Sequence, residues 1–430
     1  MSVCLSCYDR VVTGLVLSIN QGVFMKMNKI VVSLIAAGVM ASPLAHATNG
    51  DLMMAVGSQN SALGGSGVAN FVGAESAFPN PAMLGKSKGS EVVGGVALFM
   101  PTVTNTGFTV NTPVESSADH NYIPDISYSN RTSDNWTIGV AMAGIAGMGV
   151  DYTGANPNYA KAKTEMMLLK VVPTIAYNKD NFGLGVSPII QYGSLLISYD
   201  ATPFGSIKYN STSKADTDTN VGYSVGGYFD VTPGLTLAAA YNSQIMMKYG
   251  TQLSGAGSGF GQTFSNELAQ PAEMKAGVAY KFASHYTVTA DFKSIKWADA
   301  PGYKDFGWKN QTVVALGGKY ASEGYWLGLG YNKADNPIVP FDNGVPANAT
   351  NGKNGVGNMF NNLFFPATIK SAYTFGGGVA MNKKLDFEGS VMVAPEVTTV
   401  VDISDVAGPG VTNTTTHSQR SYTVSLRYKY

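Results

Sequence analysis

Residues 420–430 read Arg-Ser-Tyr-Thr-Val-Ser-Leu-Arg-Tyr-Lys-Tyr, and apolar and polar residues alternate along this stretch. One face carries Tyr422, Val424, Leu426, Tyr428 and Tyr430, and the other carries Thr423, Ser425, Arg427 and Lys429. Successive side chains of a β-strand point to opposite sides, so the two faces of this strand meet different surroundings. The pattern predicts a strand that separates an apolar medium from a polar one.

The same period of two recurs from residue 90 onwards and predicts fourteen strands. Most of them are close to the 9–11 residues that a tilted strand needs to cross the hydrocarbon core of a membrane. The predicted strands cover residues about 90–100, 122–131, 135–147, 167–178, 182–199, 218–230, 234–246, 272–282, 285–296, 311–320, 325–333, 368–381, 385–393 and 420–430. The chain is therefore expected to be all-β.

The connections between these strands alternate in length. Those after even-numbered strands hold two to four residues, whereas those after odd-numbered strands hold 14 to 34. Transmembrane barrels have one rim of short turns and one rim of longer loops. A soluble sandwich would also bury one face of each strand, but sandwich strands are shorter and their loops follow no such rule. Residues 90–430 are therefore predicted to form a membrane-spanning antiparallel β-barrel of about 14 strands.

The composition restricts the classes of function. Charged residues make up 13% of the chain, about half of the roughly 25% that is usual in soluble domains. Basic and acidic residues number 28 each, so the formal net charge is zero, and there is no basic block. Binding of nucleic acid through its phosphates requires clustered positive charge. We therefore expect no nucleic-acid partner.

Residues 25–47 have the pattern of a secretory signal peptide. Lys26 and Lys29 form a positive start, an apolar stretch follows, and Ala45–Ala47 fits a cleavage site with small residues at both ends. We expect cleavage after Ala47, so that the mature chain begins at Thr48. The chain is thus predicted to be exported.

Residues 1–24 precede this signal and fit no export pattern, which indicates a wrongly assigned start codon. Cys4 and Cys7 are the two cysteines of the chain, and both lie in this stretch. The mature chain would therefore hold neither a disulfide nor a cysteine-based metal site. No cofactor and no metal are expected.

Residues 48–89 differ from the rest, because they are rich in small residues and lack the period of two. Helical fragments are expected around 51–63 and 72–78. A barrel of fourteen strands is wide enough to need filling, so we expect this segment to be a plug in the lumen. A disordered leader is the alternative, but the apolar residues Phe71 and Phe78 argue against it.

Three motifs of this segment are specific: Asn49-Gly50, the run Ala62–Ala69, and Asn80-Pro81-Ala82. They resemble the plug of the FadL family of outer-membrane transporters, and residues 308–320 and 326–331 resemble the tenth and eleventh strands of that family. The resemblance implies a bacterial outer-membrane barrel for passive uptake of long-chain fatty acids or aromatic hydrocarbons. It also implies that outer-membrane lipid and the barrel-assembly machinery are partners and that the protein is a monomer.

The third predicted strand and the two residues after it contain four glycines, among them Gly139 and Gly144. Glycine inside a strand marks a bulge or a bend. In FadL-like proteins a kink in this strand opens the barrel wall, so the resemblance implies a lateral opening at Gly139 and Gly144. Simple curvature of the barrel is the alternative reason for these glycines.

Methionine and phenylalanine in the loops suit ligands of varied apolar shape. The candidate ligand-binding residues are Phe71, Phe78, Met246, Met247, Phe260, Phe264, Phe364 and Phe365. Packing of the loops against each other is the alternative role for these side chains. A fatty acid would also need a carboxylate anchor, for which Lys161, Lys163 and Lys248 are candidates, although each could be an ordinary solvated charge.

No catalytic motif is recognisable in the chain, so we expect a transport protein and not an enzyme. A channel for hydrophobic compounds needs an apolar pocket and an exit that avoids water. The alternatives are a general diffusion porin or a structural surface barrel. A porin would need an open, hydrated lumen with rings of charge, which a plug would block.

Overall fold

A computed structural model describes residues 49–107, 111–154, 161–200, 208–209, 214–259, 262–341 and 354–430. The predicted signal peptide, its cleavage site and both cysteines lie outside the described residues. None of the helices in the described ranges is long and apolar enough to span a membrane.

Fourteen long strands form one closed antiparallel barrel. The strands are β1 (Ser90–Thr106), β2 (Asn121–Arg131), β3 (Trp136–Asp151), β4 (Lys163–Lys179), β5 (Phe182–Asp200), β6 (Asp216–Thr232), β7 (Leu235–Asn242), β8 (Glu273–Phe282), β9 (Tyr286–Ile295), β10 (Gln311–Ser322), β11 (Tyr325–Ala334), β12 (Ser371–Ala380), β13 (Leu385–Asp402) and β14 (Thr412–Lys429). Each strand pairs with the next, and β14 returns to β1 over a ladder from Glu91↔Lys429 to Thr106↔Thr414. The predicted fold is confirmed.

The two rims of the barrel differ as predicted. Connections after even-numbered strands hold two to four residues, and those after odd-numbered strands hold nine to 36. The long connections contain helices α2 (Gln252–Gly259), α3 (Asn354–Phe364) and α4 (Ser404–Ala407). Two further strands of two residues each, Val114–Glu115 and Lys208–Tyr209, extend the sheet at this rim. The long-loop rim is therefore the elaborated end of the molecule.

Apolar side chains face outwards and polar side chains face the lumen. In β14, Val424 and Leu426 are 44% and 50% exposed, whereas Ser425 and Arg427 are 2% and 3% exposed. A soluble protein would show the opposite arrangement, because transfer of apolar surface out of water is favourable. The outer face is therefore suited to acyl chains. The return of β14 to β1 also means that neither terminal strand of the sheet presents an unpaired edge to lipid.

Several strands extend further towards the long loops than the sequence predicts. β13 reaches Asp402 and β14 begins at Thr412, and the two remain paired there beyond a bulge between Ala394 and Val397. Residues 412–416 are mostly threonine, so no alternation of apolar and polar residues marks this part. β7, in contrast, ends at Asn242, before the predicted end at residue 246.

Residues 49–89, called here the N-terminal segment, contain helix α1 (Ser58–Ala62) and the 3-10 helices Ala74–Ala77 and Pro81–Lys86. Lumen-facing polar side chains bind its backbone. Thr374 of β12 donates to the carbonyl of Ala62 at 2.9 Å, and Asn332 of β11 donates to the carbonyl of Gly64 at 3.0 Å. These bonds satisfy backbone groups of the segment that lie away from water.

Glycines allow the N-terminal segment to lie directly against the barrel wall. Gly64 has a φ of 66°, in the region that favours glycine. A Cβ atom at Gly330 of β11 would lie 2.2 Å from the backbone nitrogen of Gly64. The backbones of segment and strand are therefore too close for a side chain between them.

Candidate functional site

The backbone ladder between β2 and β3 is incomplete, and the stretch without pairing is called here the gap. The ladder between these strands runs from Arg131↔Thr137 only as far as Asp125↔Ala143. In β2 the next residue towards the long loops is Pro124, which has no N–H to donate. β3 continues to Asp151, and its pairing with β4 shifts register between Gly144 and Ala146. From Gly144 onwards, the edge of β3 that faces β2 therefore has no strand partner, and it is called here the released edge.

The N-terminal segment covers this released edge from the lumen. Leu52 forms an antiparallel bridge with Ala146. The N–H of Met53 donates to the carbonyl of Ile145 at 2.8 Å, and the N–H of Gly147 donates to the carbonyl of Asp51 at 3.3 Å. Three residues of the segment therefore replace the missing strand partner of β3.

The two glycines expected at a lateral opening occupy different positions. Gly144 lies at the register shift, where the β2–β3 ladder has ended. Gly139 lies within unbroken ladders, opposite Ser129 and Thr174, and a Cβ there would lie 2.8 Å from Leu84 of the N-terminal segment. Gly139 thus makes room for the segment and is not part of the gap.

A small cavity lies on the lumen side of the gap. It is lined mainly by apolar groups of the N-terminal segment and of β1, β2 and β3, including Met53, Val56, Ala97, Ile123 and Gly144. The lumen next to the gap is therefore apolar, with Asp125 as the charged group in the lining.

The long loops enclose an apolar cluster, called here the loop cluster. It comprises Met247, Tyr249, Phe264, Trp297, Tyr303, Phe306, Trp308, Phe360, Phe364 and Phe365, all of which are buried. Phe264 is central, because its ring centroid lies 4.9 Å from that of Phe306 and 4.8 Å from that of Phe360. Aromatic pairs in this range attract each other beyond the effect of burial alone.

The structure brings four of the predicted ligand-binding residues together in the loop cluster, namely Met247, Phe264, Phe364 and Phe365. Met246, Phe71 and Phe78 are partly buried and pack against the same core. Phe71 also packs against Ala82, Met83 and Tyr228 near the Asn80-Pro81-Ala82 motif. Phe260 lies outside the described residues.

The three lysines predicted as carboxylate anchors are not in the loop cluster. Lys163 forms ion pairs with Asp151 at 3.3 Å and Glu165 at 3.4 Å, and Lys248 pairs with Glu267 at 3.3 Å. Lys161 is exposed. All three are therefore surface charges near the long-loop rim.

The Asn80-Pro81-Ala82 motif holds the N-terminal segment against β5 and β6. The Asn80 side chain accepts from the N–H of Ala82 at 3.0 Å and donates to the carbonyl of Val68 at 2.8 Å. A Cβ at Gly226 would lie 2.0 Å from the Asn80 side-chain oxygen, and one at Gly185 would lie 2.3 Å from the Ala82 nitrogen. Asn80 thus caps the Pro81–Lys86 helix and fixes its position.

Asp51 joins the N-terminal segment to the loop cluster. The hydroxyl of Tyr303 donates to Oδ2 of Asp51, and Nε2 of Gln270 lies 3.5 Å from the same oxygen. Burial raises the pKa of Asp51 to about 7, although the two hydrogen bonds and the charge of Lys170 oppose this shift. The ring of Trp297 lies directly over Gly50. The loop cluster therefore contacts residues 50–51 of the N-terminal segment.

Arg427 joins the other end of the N-terminal segment to the barrel. Its guanidinium forms two hydrogen bonds of 3.1 Å with Glu388, one of 3.0 Å with Glu91, and two of 3.2 and 3.3 Å with Glu75 of the segment. Burial and the neighbouring carboxylates raise the pKa of Glu75 to about 8, although Arg427 opposes this shift. One guanidinium thus holds three buried carboxylates.

The sequence alone did not identify Asp51, Gln270, Tyr303 or the Arg427 cluster. Tyr303 is 252 residues away from Asp51, so no local motif connects them. Pro124 was a usable signal for the gap, because proline is rarely found in the middle of a sheet. The lumen position of Arg427 follows from the alternation in β14, but its three partners do not.

The comparisons with known proteins agree with this architecture. The family model described as "Outer membrane protein transport protein (OMPP1/FadL/TodX)" matches residues 39–337. A comparison with curated proteins found no match.

Several solved structures share the fold. The toluene transporter TodX of Pseudomonas putida has a TM-score of 0.64 at 16% identity, over 89% of this chain and 100% of its own. A FadL homologue of Pseudomonas aeruginosa has a TM-score of 0.62 at 16% identity, over 90% of this chain and 100% of its own. The toluene transporter TbuX of Ralstonia pickettii has a TM-score of 0.59 at 14% identity, over 88% and 99%. With more than half of its length matched by the family model, this chain belongs to the OMPP1/FadL/TodX family of outer membrane transport proteins.

Proposed function

We propose that the protein is a passive outer-membrane channel for hydrophobic compounds such as long-chain fatty acids or aromatic hydrocarbons. The observation that carries the proposal is the released edge of β3, which residues 51–53 of the N-terminal segment cover from the lumen. If residues 51–53 move away from β3, the gap that they cover offers a solute a path from lumen to lipid.

In this mechanism the solute first enters the loop cluster, where it leaves water. Transfer of apolar surface out of water contributes about 25 cal/mol per Å². Rearrangement of the loop cluster then disturbs Tyr303 and Gln270, and with them Asp51. The N-terminal segment acts as a plug that withdraws from β3 at this point, and the solute passes sideways through the gap at Gly144 into the membrane.

A sideways exit avoids a second transfer through water, which a long apolar solute would resist. Net flow through such a passive channel follows the concentration gradient. Partition of the solute into the lipid that receives it favours its exit. The toluene transporters TodX and TbuX, which share the fold, fit this class of solute. A general porin is disfavoured, because the N-terminal segment fills the lumen with buried side chains.

Substitution Gly144→Val tests the exit. A β-branched side chain favours a regular strand, so it should suppress the register shift. The path for the solute at the released edge of β3 should then stay closed. We expect uptake of a radiolabelled fatty acid or of toluene by intact cells to fall at least tenfold, while the heat-modifiable migration of the barrel on gels stays unchanged.

Gly94→Val is the matched control, because a Cβ atom at Gly94 of β1 meets nothing within 4 Å. Its uptake should equal that of the unaltered protein. Unchanged uptake in Gly144→Val would remove the lateral exit from the proposal. Large and stable ion currents through the unaltered protein in planar bilayers would instead support a porin.

A further inference from the structure

Three polar side chains inside or beside the loop cluster carry unpaired atoms. Among the described residues, Oδ1 of Asp51, Oε1 of Gln270 and the hydroxyl of Tyr249 have no hydrogen-bond partner. Asp51 and Tyr249 are completely buried, and Gln270 is 2% exposed. Buried polar atoms are nearly always paired, because an unpaired one forfeits its hydrogen bonds with water. Three such atoms in one apolar region therefore indicate a place for a ligand that supplies the missing partner.

Backbone pairing holds Tyr249 and Gln270 in one small structural unit. The chain forms a short two-stranded arrangement here, in which Ile245 pairs with Gln270 and the N–H of Tyr249 donates to the carbonyl of Asn266 at 3.1 Å. Gln270 and Tyr303 share Oδ2 of Asp51. The Tyr249 hydroxyl lies against Gly193 of β5, where a Cβ atom would be 2.1 Å from it.

The chemistry of these atoms discriminates between head groups. Asp51 and Gln270 offer unpaired acceptor oxygens, and the Tyr249 hydroxyl can donate or accept. A plain hydrocarbon would leave all three unpaired. A carboxylate would add a second negative charge beside Asp51, and like charges repel strongly in a site without water. A hydroxyl can donate to one acceptor and accept from Tyr249.

Lys170 does not reverse this preference. Its ammonium acts on Asp51, but the carboxylate of Glu273 acts on the same ammonium more strongly. A ligand carboxylate would therefore compete with the carboxylates of Glu273 and Asp51 for this one ammonium.

We propose that the loop cluster, with Asp51, Gln270 and Tyr249, is a binding site for a hydrophobic compound that carries a neutral hydroxyl group, such as an alkylphenol or a long-chain alcohol. The apolar part of the compound lies among the aromatic rings, and its hydroxyl pairs with the three polar side chains. This inference rests on the proposed function and specifies its substrate class.

Calorimetric titration of the mature protein in lipid nanodiscs at pH 8 tests the site. The probes are 4-butylphenol, butylbenzene and 4-butylbenzoate, which share one skeleton and differ in the head group. Binding is corrected for partition into empty nanodiscs. We expect 4-butylphenol to bind at least about tenfold more tightly than butylbenzene, and 4-butylbenzoate to bind most weakly.

Two variants assign the preference to the proposed atoms. Gln270→Leu and Tyr249→Phe should each reduce the ratio of phenol to hydrocarbon affinity at least about threefold, while butylbenzene affinity is retained. Tyr199→Phe is the matched control. Tyr199 is buried in the same core, but its hydroxyl already donates to the carbonyl of Ala256 at 2.6 Å, so its loss should leave the ratio unchanged.

Titration of the unaltered protein tests the inference even if a variant fails to fold. Equal affinity for the phenol and the hydrocarbon, or tighter binding of the benzoate, would overturn the inference and leave the proposed function standing. A preference for the phenol that survives in both variants would also overturn the assignment to these atoms. Binding of none of the three probes beyond partition would overturn both.

Discussion

Asp51 contacts both the loop cluster and the released edge of β3. Its carboxylate is bonded to Tyr303 of the loop cluster, and its backbone carbonyl accepts from the N–H of Gly147 in β3. A change in the loops that displaces Tyr303 therefore acts on the same residue that helps to cover the released edge. Because its side chain can titrate, Asp51 is a suitable place for a test by pH.

We expect the attachment of residues 51–53 to β3 to weaken as pH rises from about 4 to about 7. Burial raises the pKa of Asp51 to about 7 when the segment is attached, whereas in water it returns to about 3.8. The attached state then binds more protons in this interval, so raising the pH favours release, and the effect ends above the higher pKa. Hydrogen-exchange protection of the Met53 and Gly147 amides, corrected for intrinsic rates, should fall at least tenfold.

Asp51→Asn is the control for this titration, because it keeps a side chain of the same shape and removes the proton equilibrium. Its protection factors should be independent of pH over the same range. A pH dependence that persists in Asp51→Asn would assign the titration to another group, and flat protection in the unaltered protein would refute the expectation.

At the scale of single elements, the strands were predictable and the gap between two of them was not. Each strand separates lipid from lumen, so its own sequence records the alternation, as Val424 and Ser425 illustrate. The end of a ladder between two strands leaves a weaker record, which here is Pro124 in β2. The glycine argument selects both Gly144, which lies at the register shift between β3 and β4, and Gly139, where a Cβ atom would lie 2.8 Å from Leu84.

The loop cluster was predictable in composition but not in arrangement. Phe264, Phe364 and Phe365 stood out as apolar residues in loops, and they do lie together. Trp297, Tyr303 and Phe306 were not predicted, because aromatic residues in a loop between two membrane strands resemble ordinary interfacial sequence. Loop contacts depend on tertiary packing between distant parts of the chain, which local patterns do not encode.

Substitution Met53→Pro tests the cover of the released edge as an element. Proline has no N–H, so it removes the 2.8 Å hydrogen bond to the carbonyl of Ile145 and leaves that carbonyl unpaired. We expect the initial rate of hydrophobic solute uptake to rise about threefold or more, because the closed state is selectively weakened. Met53→Ala keeps the N–H and should behave like the unaltered protein. A lower rate in Met53→Pro than in Met53→Ala would contradict a covering role.

At the scale of the whole molecule, Arg427 connects the closure of the barrel to the position of the N-terminal segment. It lies in β14 beside the seam with β1, and it binds Glu91 of β1, Glu388 of β13 and Glu75 of the segment. Three carboxylates at one buried guanidinium are stable only while that positive charge is present. Loss of one partner of a buried ion pair costs about 3–5 kcal/mol.

The barrel itself should survive the loss of Arg427, because fourteen backbone ladders close it independently of this cluster. The N-terminal segment has no such ladder along most of its length and depends on side-chain contacts. In Arg427→Gln the segment loses the hydrogen bonds from the guanidinium to Glu75 and to the carbonyl of Val72, and Glu91 and Glu388 lose the cation that holds them beside it. We expect the segment to leave the lumen part of the time and to open a path for ions.

Single-channel recording in planar bilayers measures this directly. Arg427→Gln should show intermittent ion conductance that the unaltered protein lacks, while its heat-modifiable migration on gels remains. Arg420→Gln is the matched control, because Arg420 lies in the same strand but is exposed. A silent Arg427→Gln channel with an intact barrel would mean that the remaining contacts, such as the bonds from Lys293 to Gly65 and from Thr374 to Ala62, hold the segment without the cluster.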